Sequence, residues 1–134
     1  MPTPDPSSGL DELLGTEFLE ITGDVVRLRC EVTARLWQPY GIVHGGVYCA
    51  LVETATSLGA ASWLGDAGHV VGVANHTNFL RAVRSGTLHV LATPVHRGRS
   101  QQLWQARISD DTDRTVALGE VRLHNLSSAD GLGR

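Results

Sequence analysis

The 134-residue chain contains no lysine; all eleven basic side chains are arginine, set against fourteen acids for a formal charge of −3. A chain that is acidic overall lacks the electrostatic footprint of a nucleic-acid protein. Aromatic residues are scarce as well, 5% against 42% hydrophobic. The core must then be built mainly from valine, leucine and alanine, and the 15 glycines allow backbones to approach closely. With only 19% charged residues, global disorder is excluded. Two cysteines, Cys30 and Cys49, are too few for a disulfide scaffold and lack CxxC spacing. Both sit among apolar neighbours and are expected as buried free thiols, which fits a reducing cytoplasm.

Other absences narrow the function. There is no GxSxG elbow, no Walker loop and no dinucleotide fingerprint. His44, His69, His76, His89, His96 and His124 lack metal-ligand spacing, so no metal is expected. Residues 1–8 have neither a positive n-region nor an apolar stretch, so no signal peptide is expected. One domain over residues 9–126 is expected, with disordered tails at 1–8 and 127–134. Between Asp66 and Asp110 no acid occurs, while Arg81, Arg84, Arg97, Arg99 and Arg107 do. That stretch is +5, leaving −8 for the rest of a chain whose total is −3. Planar guanidinium forks suit phosphate oxygens; the alternative is a set of solvated strand faces.

Residues 45–65, GGVYCALVETATSLGAASWLG, hold one charge, Glu53, and no proline. The composition predicts a helix, and a helix without a charged face is expected to be enclosed on most sides. Its length matches a membrane span, but Glu53, Thr54, Thr56, Ser57 and Ser62 make it too polar for one. Most of the remaining chain alternates with period two, the pattern of half-buried antiparallel strands. Val26, Leu28, Cys30 and Val32 alternate with polar residues, and so do Trp104, Ala106 and Ile108. Mixed strands are expected near 70–80 and 87–96, with Pro94 at an edge or bulge. The expected order is a short helix, two strands, the long helix and four strands. This is an α+β fold in which a curved antiparallel sheet wraps one central helix, Gly59, Ala55, Ala60 and Ala61 letting strands come close. One helix cannot cover six strands, so an oligomer is expected.

The chemically loaded stretch precedes and enters the helix. Gly45 and Gly46 fall where amide N–H groups have no helical acceptor, a natural cradle for a developing oxyanion. The same glycines could instead serve only a tight junction. Glu53, two turns further on, is a carboxylate in an otherwise uncharged helix and a candidate nucleophile or general base, unless it meets solvent through a gap. Ser57 at i+4 shares its face. His44 reads as a residue that locks the loop.

The pattern Gln38-x-x-Gly41-x-x-His44-Gly45-Gly46, with Glu53 nine residues after His44, resembles the hotdog-fold acyl-CoA thioesterases of the PaaI type. The similarity is greatest to the branch with the Arthrobacter-type 4-hydroxybenzoyl-CoA thioesterase. It spans roughly residues 13–126. Asn78-Phe79-Leu80-Arg81 is similar to the family's N-[YF]-L-R-P, with Ala82 in place of proline, and His96-Arg97-Gly98-Arg99-Ser100 to its nucleotide-facing loop. The resemblance implies that Glu53 is the catalytic carboxylate and that the Gly45 amide polarises the thioester carbonyl. His44 would hold the loop, Gln38 contact the thioester and Ser57 position water. Gly46, Asn78, Arg81, Arg97, Gly98, Arg99 and Ser100 would bind substrate and coenzyme A, the loop coming from a neighbouring subunit. It further implies a cytoplasmic homotetramer, a dimer of dimers, with no cofactor beyond the coenzyme A of its substrate and no nucleic-acid or membrane partner. A hotdog-fold hydratase or dehydratase and a non-catalytic acyl-CoA binder are the alternative readings. Trp63, Tyr48, Phe79 and Trp104 are candidates for shaping an acyl pocket.

Overall fold

Where apolar and polar residues alternate, a strand can bury one face and keep the other wet. In the computed structural model, which describes residues 5–127, six strands form on this rule. They are β1 (Thr16–Ile21), β2 (Val26–Glu31), β3 (Gly68–Phe79), β4 (Thr87–Arg97), β5 (Gln101–Ser109) and β6 (Thr115–Ser127). A short helix α1 (Leu10–Leu14) precedes them, and the long helix α2 (Gly45–Leu64) separates β2 from β3. The strands make one antiparallel sheet in the order β1-β2-β4-β5-β6-β3. α2 touches all six strands, as it must if the sheet curls around it. The element order expected from the sequence is the one observed.

The core lies between sheet and helix. Leu28, Leu88, Val90, Trp104, Ile108 and Leu123 from the strands meet Tyr48, Leu51, Val52 and Ala55 of α2, all nearly or fully buried. Gly59 makes the close approach possible, because a Cβ there would stand 2.5 Å from the Trp104 ring. The indole needs a polar partner at that depth, and Gln102 supplies it. Trp104 Nε1 donates to Gln102 Oε1 (2.8 Å), while Gln102 Nε2 donates to Ala60 O (3.2 Å) and Asn125 Oδ1 (2.9 Å). Pro94 sits at a register shift between β4 and β5, past Ala92 where the β2 ladder ends, so its missing N–H breaks no pairing with β2.

Four expectations need correction. α2 is enclosed less completely than a helix without a charged face suggested: Tyr48, Leu51, Val52, Ala55 and Gly59 are buried toward the sheet, while Ala50, Glu53, Thr54 and Ser57 along the other side are only half-buried. Its missing charged face is therefore left partly open by its own chain. Ala61 is exposed and brings no strand close, because it lies where α2 runs out past the core. Only Cys30 is a buried thiol; burial pushes it up to about 11, whereas Cys49 is half-buried on the open side. Of the expected tails, residues 5–8 form a hydrogen-bonded turn and Ser127 ends β6. Residues 1–4 and 128–134 lie outside the described residues.

The two edges of the sheet differ. β1 is six residues long and is laced to β2 by Arg29–Glu17 (2.8 Å) and Arg27–Glu20 (3.1 Å). β3 has twelve residues, none of them Asp, Glu, Lys or Arg, and among the described residues pairs only with β6. It exposes Val71, Val73 and Phe79.

Candidate active site

The approach to α2 is a loop tied down from both sides. Trp37 and Val43 form an isolated bridge, Gln38 N donates to Ile42 O (2.8 Å), and Gly41 turns the chain at φ 76°. The Gln38 side-chain oxygen accepts from the Tyr40 amide across this turn. Arg84 pins the loop from outside, donating to Tyr40 O and Gly41 O (both 3.3 Å), and Trp37 Nε1 donates to Arg84 O (2.9 Å). His44 then caps the helix: its backbone is extended and its Nδ1 accepts from Gly46 N at 2.8 Å. That bond places a ring nitrogen without a proton toward the helix. It also sorts the two amides, since Gly46 N–H is used by the cap while no described hydrogen bond takes Gly45 N–H.

The glycines themselves answer to packing. A Cβ at Gly45 would lie 2.4 Å from the Phe79 ring, and one at Gly46 would lie 2.9 Å from His44 Nδ1. The space that a side chain at Gly45 would need is thus held by Phe79, beside a cavity that Gly45 also lines. That cavity, of about 310 Å³, is lined by Gln38, Gly45, Tyr48, Phe79 and Arg81 among others. Tyr48 is 2% exposed, and burial pushes its hydroxyl up from its ordinary pKa. Its oxygen has no partner among the described residues.

Glu53 lies on the half-open side of α2 and is held by neighbours. Asn75 Nδ2 donates to its Oε1 at 3.1 Å, and Ser57 Oγ reaches Oε2 at 3.4 Å, a long contact from the expected partner. Gly72 of β3 runs so close that a Cβ there would be 2.1 Å from Oε2. Eight residues of helix separate Gly45 from Glu53, about 12 Å along the axis. The two therefore share a helix without sharing a point in space.

The other candidates divide between two places. Arg81 joins Gln38 and Gly45 around the cavity. Asn78, next to Phe79, turns to the opposite face of the sheet, where it lines a separate hollow with His76 and Leu118. Arg97, Gly98, Arg99 and Ser100 form the β4–β5 turn at the far end of α2. There Arg97 lies 5.7 Å from the Trp63 ring and donates to Gly23 O (2.5 Å) and Asp24 (2.8 Å). Arg97 is thus already engaged; Arg99 is exposed, and its carbonyl accepts from Asn125 (3.2 Å). Trp63 and Trp104 serve this end and the core, leaving Tyr48 and Phe79 as the aromatic residues at the cavity. Sequence reading missed Asn75 and Gly72, whose approach to Glu53 depends on the course of β3. Among the described residues no three His, Cys, Asp or Glu cluster as metal ligands, and no helix is long and apolar enough to cross a membrane.

One antiparallel sheet around one long helix, with a carboxylate on the helix and a free amide at its start, is the hotdog architecture of thioester hydrolases. The model of the thioesterase superfamily matches residues 40–117, and the chain belongs to that family. It is 47% identical to an esterase-named protein of Mycobacterium tuberculosis, over 95% of this chain and 97% of that one. It is 33% identical to the 1,4-dihydroxy-2-naphthoyl-CoA hydrolase of Listeria monocytogenes, over 86% and 94%. The solved structure of the mycobacterial protein superposes with a TM-score of 0.87 at 49% identity, covering 90% of this chain and 98% of that one. A thioesterase from Haemophilus influenzae superposes with 0.88 at 32%, covering 94% and 88%. The chain is a hydrolase acting on thioesters, which sets aside the lyase and the non-catalytic binder.

Proposed function

We propose that the chain hydrolyses an acyl-CoA to a free acid and coenzyme A, with Glu53 as the catalytic carboxylate. The observation that carries this reading is a hydrogen-bonded carboxylate on a helix that holds no other charge. As nucleophile or as general base for water, Glu53 needs the carbonyl polarised, and the Gly45 N–H supplies a donor at the positive end of the helix dipole. Gln38, its side-chain oxygen occupied by Tyr40, offers its NH₂ to the same cavity.

Because Gly45 and Glu53 stand about 12 Å apart along one helix, they cannot both touch one carbonyl. We infer a site shared between two copies, Gly45 and Gln38 from one and Glu53 from the other. The charge-free edge of β3 supports this. Pairing it antiparallel with a second copy about a two-fold axis sets the Phe79 end of one strand beside the Gly68 end of the other. Gly68 pairs with Ser127, and Asn125 nearby holds the carbonyls of Gly98 and Arg99. A second copy would thus bring Arg99 and Ser100 toward the first copy's Arg81, a fit for the phosphates of coenzyme A. The name of the Listeria relative, a CoA thioester hydrolase, supports the same substrate class. A tetramer would add contact through the outer sheet face, where Leu118 and Val95 are exposed. A cytoplasmic location fits this substrate.

Complementation tests both parts. Glu53→Ala and Gln38→Ala homo-oligomers are each expected to lose at least about a hundredfold in kcat/KM. Mixed oligomers of the two variants should regain a substantial fraction of wild-type rate, because one shared site per pair is then intact. Thiol release from an acyl-CoA panel is the readout. Wild-type turnover by Glu53→Ala would remove the catalytic role, and mixed oligomers as inactive as their parents would remove the shared site.

A further inference from the structure

β3 carries a register shift between Gly72 and Ala74 against β6. On a regular strand, side chains alternate, so positions 72 and 75 would face opposite sides of the sheet. A bulge adds one residue and reverses that parity. Before it, Val70 and Gly72 face α2; after it, Asn75, Thr77 and Phe79 do. The strand thereby aims an amide at a helix position that its even spacing from Gly72 would have given to Ala74.

The Asn75 amide has one workable orientation. Nδ2 lies 3.1 Å from two acceptors, Cys49 O and Glu53 Oε1, while Oδ1 accepts from Thr77 Oγ1 at 2.7 Å. Reversing it would turn an oxygen toward a carboxylate and a carbonyl, neither of which can donate. We propose that Asn75, oriented by Thr77, is a positioning residue that holds Glu53 in the attitude needed for attack. This rests on the reading of Glu53 as the catalytic carboxylate. Ser57 alone is a poor substitute, at 3.4 Å and on the other oxygen. With Gly72 leaving no room beside Oε2 and Asn75 donating to Oε1, the edge strand confines a side chain to which its own helix offers only the long Ser57 contact.

The test uses the full chain and the fastest substrate from a panel of benzoyl-, phenylacetyl-, hexanoyl- and acetyl-CoA. Asn75→Ala is expected to lower kcat about tenfold to a hundredfold, as loss of one hydrogen bond to a charged group should, with KM changed by less than about threefold. Thr77 separates hydrogen bonding from packing. Thr77→Val keeps the shape and loses the hydroxyl, and should lower kcat about threefold to tenfold. Thr77→Ser keeps the hydroxyl and should stay within about twofold. The Asn75→Ala/Thr77→Val double variant should be no slower than Asn75→Ala alone. Glu53→Gln, made alongside, separates the two claims. If it is inactive while Asn75→Ala keeps the wild-type kcat, the positioning role falls and the catalytic reading stands. If Glu53→Gln turns over normally, both fall. If Thr77→Val is silent and Thr77→Ser is damaging, Thr77 acts by packing and the relay is overturned.

Discussion

β1 and β3 close the same sheet at opposite edges under opposite chemistry. β1 is short and places Glu17 and Glu20 opposite Arg29 and Arg27, so another strand arriving there would have to displace a hydrated ladder of charge. β3 is twice as long, carries no carboxylate or guanidinium, and leaves Val71 and Val73 exposed. An edge of that kind is a hazard in a lone chain. It is also the strand whose inner side grips Glu53. Protection of one edge and exposure of the other favour β3, not β1, as the edge at which the proposed second copy would pair.

A charge placed on each edge tests the contrast most directly. Val73→Lys with Val71→Lys on β3 is expected to leave a monomer by light scattering and to cost at least about a hundredfold in kcat/KM. Leu19→Lys on β1, at a side chain already 54% exposed, should leave mass and turnover unchanged. Dissociation by the β1 variant and not the β3 one would reverse the assignment. Next in size is Gly72→Ala, whose Cβ conflicts only with the far end of the Glu53 side chain. A displacement of about 1 Å at a reacting group can cost about a hundredfold, so kcat should fall by about tenfold or more. The accompanying loss of thermal stability should vanish in a Glu53→Ala background; if it persists there, the strain lies elsewhere. The smallest effect is expected on β1. Glu17→Ala removes an exposed ion pair with half-exposed partners, so urea unfolding should change by less than about 1 kcal/mol and the difference should fade in high salt.

Much of this was legible in residue order. Period-two alternation located β2, β5 and β6, because a strand half in water has to advertise its buried side. The isolated Glu53 marked itself as costly in an uncharged helix, and His44 before two glycines marked the junction it caps. β3 was opaque for a definite reason: its bulge breaks the parity by which a strand is read, so Asn75 falls on the face that regular alternation denies it. The glycines at 45 and 46 were legible as a junction, but what fills the space above them, Phe79 and the His44 ring, comes from folding.

The residue sequence by itself determined the order of strands and helices and the lone carboxylate in an otherwise uncharged helix, since these follow from local periodicity and composition, while its motifs carried the resemblance to the hotdog thioesterases. The tertiary structure decided which groups that carboxylate answers to, and that it stands a helix's two turns from the amide at the leading end. Such relations join residues far apart in the chain, where spacing along the backbone carries no information about distance in space.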